Sequence, residues 1–167
     1  MPFGIQQADK SILTNPLMAI IRVTKSFTFE MAHALWNYDG PCKNIHGHSY
    51  KLFVTVKGQA SENTESTKLG MVMDFSDLKK IVKTQIIDMF DHSVIISSRA
   101  SKPDILRVEQ MFEKFYIVDY QPTCENLVTD MAGRLSKELP GNVQLFSMKL
   151  AETETSYAEW FASENPV

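Results

Sequence analysis

Cys42-Lys43-Asn44-Ile45-His46-Gly47-His48 is the stretch on which the reading of this chain turns. Two histidines two residues apart project to the same side of an extended strand, so they can hold one metal ion without distorting the backbone. The strand continues from the pair, since Tyr50, Leu52, Val54 and Val56 share its parity and are mostly apolar. A third histidine, His33, ends the preceding extended run from Ile20. There Ile21, Val23, Phe27, Phe29, Met31 and His33 share a face, and all but His33 are apolar. Two neighbouring antiparallel strands would bring the three imidazoles together at one end of a buried face. Three His with an open fourth position is the pattern of a catalytic zinc, because structural sites are normally closed by four protein ligands. The plain alternative is a set of histidines satisfied in a core. It suits a lone His, or a lone His-x-His, better than three at matched parity. Cys42 follows Gly40-Pro41 and falls on a turn near the metal, as a fourth ligand, a nucleophile or a base.

Working outward, 167 residues suffice for one domain that buries roughly two-thirds of its unfolded surface. The net charge of −3 points to neither a nucleic-acid nor a membrane partner. Two cysteines imply no disulfide framework, and a reducing, cytoplasmic setting is expected. Pro16 to Val23 is apolar but too short to span a membrane. No signal peptide is read at the start.

Residues 1–18 lack periodicity and are expected to form a loose arm ahead of one domain at 19–167. Strand one is expected over 19–33 and strand two over 47–57, with a polar surface connection at 58–68. Asp74 reads as the N-cap of a helix ending near Phe90, with Phe75, Leu78, Val82, Ile86 and Met89 as its buried stripe. Residues 97–110 read as irregular, with Pro103 as a breaker, and 114–120 as a short strand. Thr123 caps a second helix whose apolar stripe is Leu127, Val128, Met131, Leu135 and Leu139, stopped by Pro140-Gly141. Strands follow at 143–152 and 156–161. The expectation is an α+β fold: a four-stranded antiparallel sheet with two helices on one face, in ββααββ order.

Outside the three His, other residues stand out. Asp91-His92 follows a helix end. A carboxylate can fix an imidazole's tautomer, while the bland reading is a cationic His completing a helix C-terminus. Glu152 shares parity with Phe146, Met148 and Leu150, and a carboxylate ending an apolar face needs a partner. A guanidine-like edge on a ligand would satisfy it bidentately; an exposed strand end is the alternative. Cys124, in a helix first turn, reads as structural.

These residues resemble the 6-pyruvoyltetrahydropterin synthase / 6-carboxytetrahydropterin synthase family of the tunnelling fold. The resemblance rests on Phe29-Glu30-Met31-Ala32-His33, Cys42 through His48, Gly70-Met71-Val72-Met73-Asp74-Phe75, Asp91-His92, Pro122-Thr123-Cys124-Glu125-Asn126 and Leu150-Ala151-Glu152-Thr153, in family order over residues 20 to 162. It implies Zn2+ on His33, His46 and His48. It implies Cys42, Asp91 and His92 as the catalytic group, Glu152 as the pterin anchor and Thr123 at the pterin pocket. It also implies a homohexamer of two stacked trimers, each closing a twelve-stranded barrel, with active sites between subunits.

The implied substrate is 7,8-dihydroneopterin triphosphate. Two products are open: 6-carboxytetrahydropterin with acetaldehyde and triphosphate, or 6-pyruvoyltetrahydropterin by loss of triphosphate. Three residues separate Cys42 from His46, which is similar to the bacterial carboxy-type enzymes of queuosine precursor synthesis, whereas animal pyruvoyl-type enzymes place the Cys further ahead. The segment 96–121 is longer than in short bacterial forms. The rival classes are a non-catalytic zinc module, closed by Cys42 as fourth ligand, and a related aldolase or cyclohydrolase of the same fold. The last two lack this Cys-to-His-Gly-His arrangement.

Overall fold

The computed structural model describes residues 19–165; the arm expected over 1–18 lies outside them. The long hairpin forms as its alternation dictates. Strands β1 (Ile20–His33) and β2 (His46–Gln59) pair antiparallel over their whole length, from Ile20 opposite Gln59 to His33 opposite His46. Phe29 and Met31 on β1, and Tyr50, Leu52, Val54 and Val56 on β2, are buried on the shared face. Full burial of each such side chain contributes about 1.5–3 kcal/mol.

The sheet has six strands, not four. Beyond the hairpin come β3 (Ser93–Ser97), β4 (Phe115–Val118), β5 (Val143–Ala151) and β6 (Tyr157–Phe161), in spatial order β4-β3-β1-β2-β5-β6. The four strands of the expected sheet, β1, β2, β5 and β6, are antiparallel neighbours in sequence order, and the short strand expected at 114–120 is β4. The other two add in parallel, β3 beside β1 and β4 beside β3, which makes the sheet mixed. Ser93-Val94-Ile95-Ile96-Ser97 is buried at every position. A parallel strand covered on both faces carries no alternation, and for that reason the sequence pattern did not reveal it.

Helix α1 begins at Phe75–Val82, continues through π-helical turns at Lys83–Ile87 and closes with Asp88–Phe90. Asp74 caps it, its carboxylate accepting from Ser76 N at 2.7 Å. Leu78, Val82, Ile86 and Phe90 are all fully buried. A step of four residues overruns an α-helical turn by ~40° each time, and the wider π turns keep the row on one face. The expected stripe is corrected at its start, where Phe75 is 49% exposed, and extended at its end, where Phe90 is fully buried beside Met89, itself partly buried against the core.

Residues 97–110 are not irregular. Helix α2 (Lys102–Met111) carries Pro103 in its first turn, where the missing N–H has no helical partner to lose. Ser101 caps it, accepting from Asp104 N. Helix α3 (Cys124–Ser136) follows its Thr123 cap and ends before Leu139, which still packs against the core.

Helices α1 and α3 cover the face that carries His33 and Tyr50. Helix α2 packs on the other face, with Val108 against Val94 and Ile96 and Phe112 and Ala32 beside them. The expected pair of helices on one face therefore stands, and a third covers part of the reverse. One further correction concerns β5. A bulge shifts its register on β2 between Thr55 and Val56, so Leu145 takes the buried place and Phe146 turns outward beneath the Arg22 guanidinium, 3.8 Å from the ring centroid. Among the described residues, no helix is long and apolar enough to cross a membrane.

Candidate metal centre and active site

His33 and His46 close the β1–β2 ladder, and His48 stands opposite Met31 two residues along. The strand period then sets the geometry. The three rings lie with centroids 4.6 to 5.3 Å apart, and one nitrogen from each falls within 4.8 Å of the others.

Backbone carbonyls orient two of the rings. His33 Nδ1–H donates to Pro122 O at 2.6 Å and His46 Nδ1–H to Asn44 O at 2.8 Å. A carbonyl can only accept, so each Nδ1 carries the proton and each Nε2 keeps its lone pair. Burial lowers the His33 pKa, and its two histidine neighbours push the same way against the Pro122 hydrogen bond and the Glu152 charge. The imidazole is thereby kept neutral, the form a metal ligand needs. A tetrahedral zinc holds its nitrogens about 3.4 Å apart at Zn–N of about 2.1 Å, so small side-chain rotations close this set. The donor set fits such an ion.

The triad lines one end of a cleft of about 310 Å³, together with Cys42, Thr123, Cys124, Glu125, Glu152 and Tyr157. Cys42 is half-buried on a 3₁₀ turn at Pro41–Lys43, and its carbonyl accepts from Leu35 N at 2.9 Å. Glu152 lies one residue past β5, with Oε1 3.4 Å from His33 Nε2 and 3.8 Å from His48 Nε2. Tyr50 OH donates to that same oxygen at 3.0 Å. Burial and the Glu152 charge hold the Tyr50 phenol far above its usual pKa, so it remains a donor.

Sequence reasoning missed the Tyr50 hydroxyl because its ring was counted with the apolar face. A hydroxyl two residues past His48 at the same parity was the available signal. Cys124, read as structural, also lines the cleft, and its thiol donates to Leu150 O at 3.2 Å. Burial, with the Glu152 charge beside it, pushes that thiol up to about 11, so it stays protonated.

Asp91 and His92 are not brought to this cleft. They follow α1 beside a second concavity of about 580 Å³, where His92 lines the wall with Glu30, Ala32, Gly47, Ser49, Glu113 and Lys114, and which Met31 and His48 also border. Glu30, Ala32, Gly47 and Ser49 face away from the His33 and His48 side chains. Asp91 Oδ1 lies 2.9 Å from His92 Nδ1. Two bonds clamp the pair to β1: His92 N donates to Glu30 O at 2.6 Å, and Glu30 N donates to Asp91 Oδ1 at 3.0 Å. Partial burial opposes ionisation of Asp91. The Glu30 and His92 hydrogen bonds outweigh it and hold the carboxyl below the usual carboxylate range. His92 has φ 56°, in the left-handed region that few non-glycine residues adopt. The dyad is therefore built and oriented, but toward a different space from the thiol.

The family model described as 6-pyruvoyl tetrahydropterin synthase matches residues 22–163 of this chain. The 6-carboxy-5,6,7,8-tetrahydropterin synthase of Haemophilus influenzae is 34% identical over 143 residues, spanning 84% of this chain and 99% of its own. The protein of the same description from Aquifex aeolicus is 31% identical over 161 residues, spanning 83% and 96%. Among solved structures, the 6-pyruvoyl tetrahydropterin synthase of Caenorhabditis elegans superposes with a TM-score of 0.62 at 23% identity, over 86% of this chain and 96% of that one. An uncharacterized protein from Wolinella succinogenes superposes with a TM-score of 0.67 at 21% identity, over 86% and 98%. By the extent and identity of these matches, this chain belongs to the 6-pyruvoyl tetrahydropterin synthase family.

Proposed function

We propose that this protein is a zinc-dependent lyase that converts 7,8-dihydroneopterin triphosphate and water to 6-carboxy-5,6,7,8-tetrahydropterin, acetaldehyde and triphosphate. The observation that carries this reading is the convergence of Cys42, the three histidines, Thr123 and Glu152 on one cleft. The bacterial relatives bearing the 6-carboxy description support the choice of product. So does the short Cys42-x-x-x-His46 spacing.

His33, His46 and His48 would hold the ion, which supplies Lewis-acid polarisation of the substrate's side-chain hydroxyls. Cys42, as thiolate, takes the proton from the carbon next to the ring. Glu152 accepts from the amino-pyrimidine edge of the pterin, with Tyr50 OH fixing its Oε1. Thr123 and the start of α3 form the cleft wall along the ring. His92, oriented by Asp91, gives and receives protons at the side-chain positions.

Because the dyad faces another cavity of its own chain, a neighbouring copy supplies it to this cleft. The site is then completed at a subunit boundary, in the hexamer the family resemblance implies. Elimination of triphosphate to 6-pyruvoyltetrahydropterin is the second reading, favoured by the description of the family model that matches residues 22–163. Mass identification of the pterin formed from 7,8-dihydroneopterin triphosphate tests the proposal. The 6-carboxy product is expected, and the 6-pyruvoyl product would overturn it.

A further inference from the structure

Lys114 opens the approach to β4, and its backbone carbonyl accepts from Val94 N at 3.1 Å. Its ammonium donates to Asp88 O at 2.9 Å and to Asp91 O at 2.5 Å. These carbonyls belong to the end of α1, where helical acceptors have no intrahelical donor and the dipole is negative. The backbone turns there: Asp91 is extended, with ψ 128°, and His92 is left-handed, with φ 56°. Glu30 clamps this turn from β1 and Lys114 from the β4 side, and Lys114 lines the same concavity as His92.

We propose that Lys114 is a positioning residue for the Asp91–His92 pair, its ammonium pinning the helix-end carbonyls so that the imidazole is held in its working direction. This rests on the acid–base role given to the pair above. The segment between β3 and β4 gains a purpose by it, since the excursion through α2 returns the chain to the end of α1 with a cation in place. Two of the three ammonium donors are spent on carbonyls, so Lys114 acts on the dyad and not as a free anion site.

The test compares the zinc-loaded enzyme with K114M, K114R, H92A and the K114M/H92A double variant. K114M is expected to lower kcat roughly 10- to 100-fold, the scale of an ångström-sized misplacement of a reacting group. KM and bound zinc stay at the wild-type level, and the melting temperature falls by only a few degrees as the helix-end carbonyls lose their donor. K114R, which keeps a cation able to reach both carbonyls, recovers most of the loss. K114M adds little to H92A, because both act through one group. Should K114M fail to fold, K114Q, which retains a donor, is read in its place. Four results would overturn the proposal on its own terms. They are wild-type kcat in K114M, a risen KM at unchanged kcat, K114R as slow as K114M, or losses that multiply in the double variant. H92A at wild-type turnover sinks the acid–base reading and this proposal with it. H92A slow with K114M normal sinks only the role of Lys114.

Discussion

His33 and His46 are cross-strand partners on the last rung of the β1–β2 ladder, with ring centroids 4.6 Å apart. The candidate metal site is therefore a consequence of strand register. A slip of one residue would turn His46 and His48 to the far face, together with Tyr50, Leu52, Val54 and Val56. The apolar face that holds the hairpin on α1 and α3 is what holds the three imidazoles together.

From this follows a prediction about metal. The purified protein should carry one zinc per chain, and His46→Ala or His48→Ala should lose it while keeping the fold. Elemental analysis with circular dichroism checks both halves. Full zinc occupancy in a His33/His46/His48 triple alanine variant would refute the site.

Cys42 is predicted to be a base and not a ligand. Cys42→Ala should retain zinc and substrate binding and lose turnover by roughly 10²-fold or more. The cobalt-substituted protein should lack the intense charge-transfer absorption of a thiolate ligand. Near-normal turnover in the variant, or that absorption band in the wild type, would return Cys42 to a structural or ligating role.

The separation of Cys42 from His92, which line different cavities, makes a prediction about assembly. Cys42→Ala and His92→Ala, each inactive alone, should regain activity when their subunits are mixed and reassembled. Roughly a quarter of boundaries then pair an intact thiol with an intact dyad. Light scattering should show a hexamer. A stable, active monomer, or mixed oligomers without recovered activity, would contradict shared sites.

Alkaline pH should destabilise the protein through Tyr120, whose hydroxyl donates to Asp130 Oδ2 at 2.8 Å. Burial first, and then the Asp130 hydrogen bond, raise its pKa in the folded state. Stability from a raised group is complete below the unfolded value, about 10 for tyrosine, and is lost as pH rises above it. Tyr120→Phe should flatten the fall in denaturation midpoint on the alkaline side. An unchanged slope in the variant would show that Tyr120 does not contribute.

The readable features of the chain are those with a strict period or a local cap. Alternation gave β1, β2 and the shared face of the histidines. Asp74 and Thr123 marked helix starts, which the structure places at Phe75 and Cys124. Missing were features with no local period: β3, buried on both faces, the π turns that bring Phe90 into the buried row, and the bulge that turns Phe146 outward. Pro103 misled because a proline breaks a helix in its interior and suits its first turn. At the site, the histidines and Cys42 could be grouped from strand parity and turn position, with Glu152 added only by the family resemblance. The opposed direction of Asp91–His92 could not, since it depends on the path of the chain from the end of α1 into β3 beside β1.

The most direct measurement is the stoichiometry of acetaldehyde release. The enzyme is incubated with 7,8-dihydroneopterin triphosphate, and acetaldehyde is followed through an alcohol dehydrogenase by nicotinamide absorbance while triphosphate is quantified in parallel. Equal amounts of the two are predicted, because cleavage of the side chain and loss of triphosphate belong to one turnover. Triphosphate released without acetaldehyde would contradict the 6-carboxy reading and assign the pyruvoyl product instead.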